Sequence, residues 1–291
     1  MADVQLIAPR STEITPGFTV RRSLPSAIRQ AVGPFLFFDH FGPVDIAPAD
    51  DVDVLPHPHI GLATVTYLFE GCLVHRDSTG VVQRIDPGAV NWMTAGKGIV
   101  HSERTPQELR ASRRRSHGLQ LWSALPSDDE ERSPQFQHVP SNAIPEASQP
   151  GVNIRVLVGT AFAVSSPVRT LSPTLYLDLA IEPGASLAIP DVATERALYG
   201  VDSDFEIDGV SIAARTMAVL PTGSEPVVHA ATATRLVMIG GEPLGHRFMV
   251  WNFVSSRKDR IVEAQQDWQA QRFARIPGET QFVPLPAPRQ R

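Results

Sequence analysis

Pro56-His57-Pro58-His59 at one end and Gly98-Ile99-Val100-His101-Ser102-Glu103 at the other bound the stretch on which the fold of this chain turns. Each end carries two metal-competent side chains two residues apart. In an extended strand that spacing points both to one face. Two histidines from one strand, and a histidine with a carboxylate from another, are thus placed to converge on one ion. Between the ends, residues 63–69 alternate like a strand and stop at Glu70-Gly71. Residues 72–76 meet Asp77-Ser78-Thr79-Gly80, residues 81–85 meet Asp86-Pro87-Gly88, and residues 89–93 precede Thr94-Ala95-Gly96-Lys97-Gly98. Strands this short, separated by turns this tight, predict an antiparallel meander curling into a barrel or sandwich. Closure of a barrel gives two histidine-bearing strands distant in sequence a reason to face one another. His-x-His alone is a weak signal, found also in (β/α) barrels, where a helix follows it. Here a strand follows, and His101-x-Glu103 stands at the far end.

Composition narrows the classes. The formal net charge of −5 over 291 residues offers no long-range attraction to nucleic acid or anionic lipid, so direct nucleic-acid binding is not expected. The single cysteine, Cys72, excludes a disulfide within the chain and fits a reducing compartment. Met1-Ala2-Asp3-Val4-Gln5 is not a basic run before an apolar core, and no apolar stretch reaches membrane-spanning length, so a soluble cytoplasmic protein with no membrane partner is expected. The 26 prolines and 20 glycines are spread along the chain, which favours short strands over long helices.

Ahead of the metal motif, residues 35–42 read as a strand buried on both faces, with His40 a structural residue at its rim, followed by an acidic loop over residues 45–53. The basic run 110–115 reads as a solvated loop. His75, His117, His138, His229 and His246 have no partner at ligand spacing and read as structural or exposed. After a polar connection over residues 127–149, strands resume at 152–158, 175–181, 197–201, 204–207, 217–220 and 235–239, repeating the meander without repeating the ligand set. The expected division is therefore residues 1–130, a metal-binding barrel, and residues 131–291, a barrel without a metal site. Near the end, Ser256-Arg257-Lys258-Asp259 has capping-box-like spacing, and Ile261, Ala264 and Trp268 recur at helical intervals, predicting one amphipathic helix of about four turns. Pro284-Leu285-Pro286-Ala287-Pro288 reads as an extended tail.

The runs Pro34-Phe35-Leu36-Phe37-Phe38-Asp39-His40-Phe41-Gly42-Pro43, His57-Pro58-His59-Ile60-Gly61, Trp92-Met93-Thr94-Ala95-Gly96-Lys97-Gly98-Ile99-Val100-His101-Ser102-Glu103 and His117-Gly118-Leu119-Gln120-Leu121-Trp122 resemble those of pirins, members of the cupin superfamily. The likeness continues through Pro173-Thr174-Leu175-Tyr176-Leu177-Asp178 and Gly240-Gly241-Glu242-Pro243-Leu244. It implies an all-β bicupin of two antiparallel, jelly-roll-like barrels with a short C-terminal helix. It also implies one metal ion held by His57, His59, His101 and Glu103.

Three imidazoles and a carboxylate suit a first-row divalent ion and leave positions open to substrate. The resemblance implies iron(II), with nickel, manganese, copper or zinc as alternatives. It further implies quercetin 2,3-dioxygenase activity, in which a flavonol-like aromatic substrate is cleaved by dioxygen and Glu103 accepts the flavonol proton. The resemblance carries a second implication, a metal-dependent transcription cofactor or enzyme-modulating protein with a protein partner. Two positions depart from the pirin pattern: Ala63 stands where a glutamate is common, and Lys97 where an arginine is.

Overall fold

Short strands punctuated by glycine and proline dominate, and one α-helix, Lys258–Gln269, accompanies them among the described residues. The structure, a computed structural model, describes residues 4–15, 18–48 and 50–287. Met1 to Asp3, and Pro288 at the end of the expected tail, lie outside them; residues 281–287 have no regular structure. No described helix is long and apolar enough to cross a membrane.

The chain forms two compact units. One holds the N-terminal segment through Thr12, residues 21–39 and residues 141–244; the other holds residues 13–20, 40–140 and 245 onward. This partition differs from contiguous divisions at 1–130 and 131–291, and both termini show why. Gln5–Ile7 pairs antiparallel with Met217–Leu220, which draws the N-terminus into the later unit. Ile261, Ala264 and Trp268 of the helix pack with Ile60, Val100 and Phe253, which draws the C-terminus into the earlier one.

The histidine-bearing unit contains a four-stranded sheet in the order Val54–His59, Ile99–Arg104, Leu73–Asp77, Val82–Ile85. A seven-stranded sheet begins Gln135–Val139, Val90–Thr94, Leu62–Glu70, Arg114–Ala124 and continues into Phe35–Ile46. The expected meander is therefore not a simple succession of neighbours. Leu73–Asp77 and Val82–Ile85 form a hairpin, but Leu62–Glu70 pairs with Val90–Thr94 and Arg114–Ala124 instead of with the strand that follows it. The chain alternates between sheets at tight glycine turns. At Gly61, φ is 66° and a Cβ would sit 2.0 Å from the Val254 carbonyl oxygen, so only glycine fits the crossing just after His59. Apolar side chains from both sheets meet in the cluster of Phe41, Leu68, Ile85 and Ala89.

The helix has 12 residues, about three turns instead of four. Its cap also differs from the expected one. Arg257 occupies the cap position without a side-chain cap bond, while Ser256 donates through its backbone N–H and hydroxyl to Glu130. Glu130 is buried, and a buried carboxylate needs donors more than an exposed helix start does. The basic run is tethered: Arg110 binds Asp53, and Arg114 donates to the Ala47 and Asp50 carbonyls.

In the second unit, a seven-stranded sheet runs Gln5–Ile7, Met217–Leu220, Glu195–Gly200, Thr234–Gly241, Thr174–Ile181, Val152–Val158, Glu146–Gln149. Its four-stranded sheet runs Ser186–Ala188, Val227–His229, Phe205–Ile207, Val210–Ile212. Their shared core is aliphatic, with Ile154, Leu177, Leu198, Val228 and Leu236 fully buried.

Candidate metal centre

His57 and His101 are direct partners across antiparallel strands, and His59 is opposite Ile99 in the same ladder. Two-residue periodicity puts His57 and His59 on one face. The register then adds His101 to that face from the neighbouring strand. Ring centroids lie 4.3 Å apart for His57 and His101, and 5.0 Å apart for each of the other two pairs. One nitrogen from each ring falls within 4.8 Å of the other two.

The unused nitrogens show that this arrangement fits a metal. His57 Nδ1 lies 2.8 Å from the Leu55 carbonyl oxygen, so its proton belongs there and Nε2 is the donor atom. His59 donates to the Asn252 backbone carbonyl, and its Nδ1 is buried without a hydrogen-bond partner. His101 Nδ1 faces His75, and its Nε2 is likewise buried without a partner. Orphaned buried nitrogens carry a cost unless something binds them. Burial pulls the His57 pKa down to about 4 and drives His59 and His101 well below the ordinary imidazole value, with the neighbouring rings adding to the effect. All three are therefore neutral near pH 7, the state a metal ion requires.

Glu103 is placed differently. It lies two residues beyond His101, but the pairing with Val54–His59 shifts register between them, so Glu103 is opposite Val54. The carboxylate lies outside the three-nitrogen group. It accepts a hydrogen bond from Thr66 Oγ1 at 3.3 Å, and burial raises its pKa. The extra residue is on Val54–His59; against Leu73–Asp77 the ladder stays regular, so Glu103 keeps the face of its own strand that His101 uses and is opposite His75.

One residue read as uninvolved belongs to the site. His75 is buried on Leu73–Asp77, next to the His101 strand, stacks on Phe136 at 4.5 Å and lies 3.0 Å from the Asp77 carboxylate. The signal that could have found it is His75-x-Asp77, the same two-residue spacing used for the ligands. The other buried histidines are structural. His40 and His117 are buried with Nε2 atoms 2.8 Å apart, and His138 bonds Asn91. Trp122 presents its ring at 77° to His59, closing the site on that side.

Comparison with known proteins agrees with this geometry. The Pirin family matches residues 17–123, and the Pirin C-terminal cupin domain matches residues 176–274. A pirin-like protein from Caulobacter vibrioides is 44% identical over 274 residues, covering 92% of this chain and 94% of that one. Human pirin is 36% identical over 263 residues, 87% of each chain. The chain belongs to the pirin family. Its fold matches the crystal structure of quercetin 2,3-dioxygenase from Acinetobacter baumannii with a TM-score of 0.90 at 34% identity, covering 99% of this chain and 97% of that one. This pirin is thus an all-β bicupin.

The two positions singled out against the pirin resemblance lie in different settings. Ala63 is fully buried within Leu62–Glu70. Lys97 turns its side chain to solvent, while its backbone carbonyl accepts from Arg260 at 2.7 Å. The position is held by its backbone, which a lysine serves as well as an arginine.

Proposed function

We propose that this pirin is a cytoplasmic metal-dependent dioxygenase that opens the central ring of a flavonol such as quercetin with dioxygen, releasing carbon monoxide. The observation that carries the proposal is the convergence of three neutral imidazoles, two of which, His59 and His101, hold a buried nitrogen without a protein partner. The likeness to a solved quercetin 2,3-dioxygenase supports the substrate class. His57, His59 and His101 would hold one divalent ion, for which iron(II) is our choice, in the earlier barrel; Glu103 is the candidate fourth ligand. A bound divalent metal lowers the pKa of the flavonol 3-hydroxyl and makes the ring reactive toward dioxygen.

The chain's own part is orientation and proton transfer. The three imidazoles fix where the hydroxy-ketone edge binds, and Trp122, whose ring meets His59 at 5.1 Å, supplies an apolar wall beside them. Glu103 accepts the 3-hydroxyl proton. Burial raises its proton affinity, which suits a carboxylate to take a proton from an acidified phenol and hold it. Thr66 Oγ1 lies between the carboxylate, at 3.3 Å, and Gln120 Oε1, at 2.9 Å.

The test is aerobic turnover of quercetin by iron(II)-reconstituted protein, followed by loss of flavonol absorbance and by carbon monoxide release, beside His59→Ala and with metal content measured on both. Turnover by the native chain and none by the metal-poor variant is the expected result. Full metal occupancy with quercetin left intact would refute the dioxygenase reading.

A further inference from the structure

The nitrogens that point away from the metal group do not all meet the same kind of atom. For His57 and His59 the partner is a backbone carbonyl, which only accepts and therefore always fixes the ring proton on its own side. His101 has no carbonyl. Its Nδ1 lies 3.4 Å from Nδ1 of His75, an atom that donates or accepts according to where the His75 proton sits.

Asp77 decides that. Its Oδ2 lies 3.0 Å from His75 Nε2. Its Oδ1 accepts from the Thr79 N–H at 2.8 Å, the Thr79 hydroxyl at 2.6 Å and the Val81 N–H at 3.3 Å. Three donors on one oxygen hold Asp77 in its acceptor-only form. The His75 proton is then on Nε2, its Nδ1 is a lone pair, and His101 must carry its proton on Nδ1. The remaining lone pair of His101 is on Nε2, the atom buried without a partner.

We infer that Asp77 and His75 are a positioning pair that sets the tautomer of His101 and so makes its Nε2 available as a metal donor. The inference rests on the metal site proposed above. It assigns the hairpin Leu73–Ile85 a task beyond closing the sheet. It also makes His101 the one imidazole of the three whose donor state depends on a side chain two steps away. Outer partners of metal-bound histidines commonly change affinity by about 10–100-fold when removed.

Asp77→Asn reverses the chain of hydrogen bonds without changing shape. The three donors keep the asparagine oxygen at the Oδ1 position, so its NH2 faces His75 Nε2. The His75 proton moves to Nδ1, and the His101 proton is driven to Nε2. His75→Asn does the opposite: its side-chain oxygen replaces Nδ1 as a fixed acceptor and disconnects Asp77 from the site.

Cobalt(II) alone is the probe, with affinity measured by chelator competition and site geometry by the visible ligand-field spectrum. Circular dichroism of the metal-free proteins reports folding. Asp77→Asn should weaken cobalt binding by about tenfold or more. His75→Asn should stay within about threefold of the native chain, and the double variant should match His75→Asn. Native affinity in Asp77→Asn overturns the inference. So does a double variant as weak as Asp77→Asn, because Asp77 would then act by another route. If Asp77→Asn does not fold, His75→Leu, which spares the Asp77 turn, must lose the tenfold; retention overturns the inference. A native chain that binds no cobalt refutes the metal site itself, a different result from a native chain and variants that bind alike.

Discussion

The two four-stranded sheets share one strand order and differ in what they bury. Val54–His59, Ile99–Arg104, Leu73–Asp77 and Val82–Ile85 correspond in order to Ser186–Ala188, Val227–His229, Phe205–Ile207 and Val210–Ile212. The first buries His59, His75 and His101; the second buries Leu187, Val228, Phe205, Ile207 and Ile212. His229, the histidine of the second sheet, is half-buried and bonds Ser186 Oγ at 3.1 Å. The topology therefore needs no metal to form. The histidines are an addition to it, made at the expense of apolar packing and at the cost of orphaned nitrogens. One sheet is built for stability, and the other gives up stability for a binding site.

The largest effect that sharpens this contrast lies in the aliphatic unit. Leu177→Ala removes a fully buried side chain and should cost about 3 kcal/mol in urea unfolding, with metal content unchanged. A loss of metal in that variant would mean that the aliphatic core supports the site as well. His59→Leu makes the histidine sheet resemble its counterpart. It should abolish metal binding and leave the metal-free protein within about 1 kcal/mol of the native chain, because removal of the orphaned Nδ1 offsets loss of the donor to the Asn252 carbonyl. A variant less stable than that would show that the imidazole packs too well for the contrast to hold.

A pH dependence also belongs to the histidine sheet, shared by the three imidazoles whose pKa values burial lowers. In the folded, metal-free chain His57 has a pKa of about 4 against 6.5 in an open chain, because burial disfavours its charged form; the Leu55 carbonyl opposes this in part and His75 adds to it. The unfolded chain takes up the proton first as pH falls. Stability conferred by neutral His57 is thus complete above pH 6.5 and is lost between there and about pH 4. Urea midpoints of the metal-free protein should fall over that window, and His57→Leu should lessen the slope, leaving the part due to His59 and His101. Equal slopes in both would remove His57 as a source of acid sensitivity.

Most of the three-histidine site was legible because strand periodicity is a local property. His57-x-His59 and His101 had only to be on strands to share a face, and short alternating runs between glycine turns identify strands without knowledge of their partners. Glu103 obeyed the same rule on its own strand, where the regular ladder puts it opposite His75, whereas the register shift against Val54–His59 belongs to a pair of strands and leaves no mark in either one. His75 was passed over for the converse reason. Its spacing from Asp77 is local, but its closeness to His101 arises from a pairing with a strand more than twenty residues on. The helix's apolar face was readable from Ile261, Ala264 and Trp268, whereas its cap was not, since Ser256 is claimed by Glu130 from over a hundred residues away.

The sequence by itself determined the β class, the repeated pair of strand-rich halves, the family and the three imidazoles, all of which follow from local spacing, turn chemistry and contiguous motifs. Only the tertiary structure decided which strands pair, that the two termini cross into each other's units, where Glu103 lies and what stands behind His101. Those depend on hydrogen-bond ladders and buried contacts between residues far apart in the chain, and a ladder's register is set jointly by both of its strands and by the core they enclose.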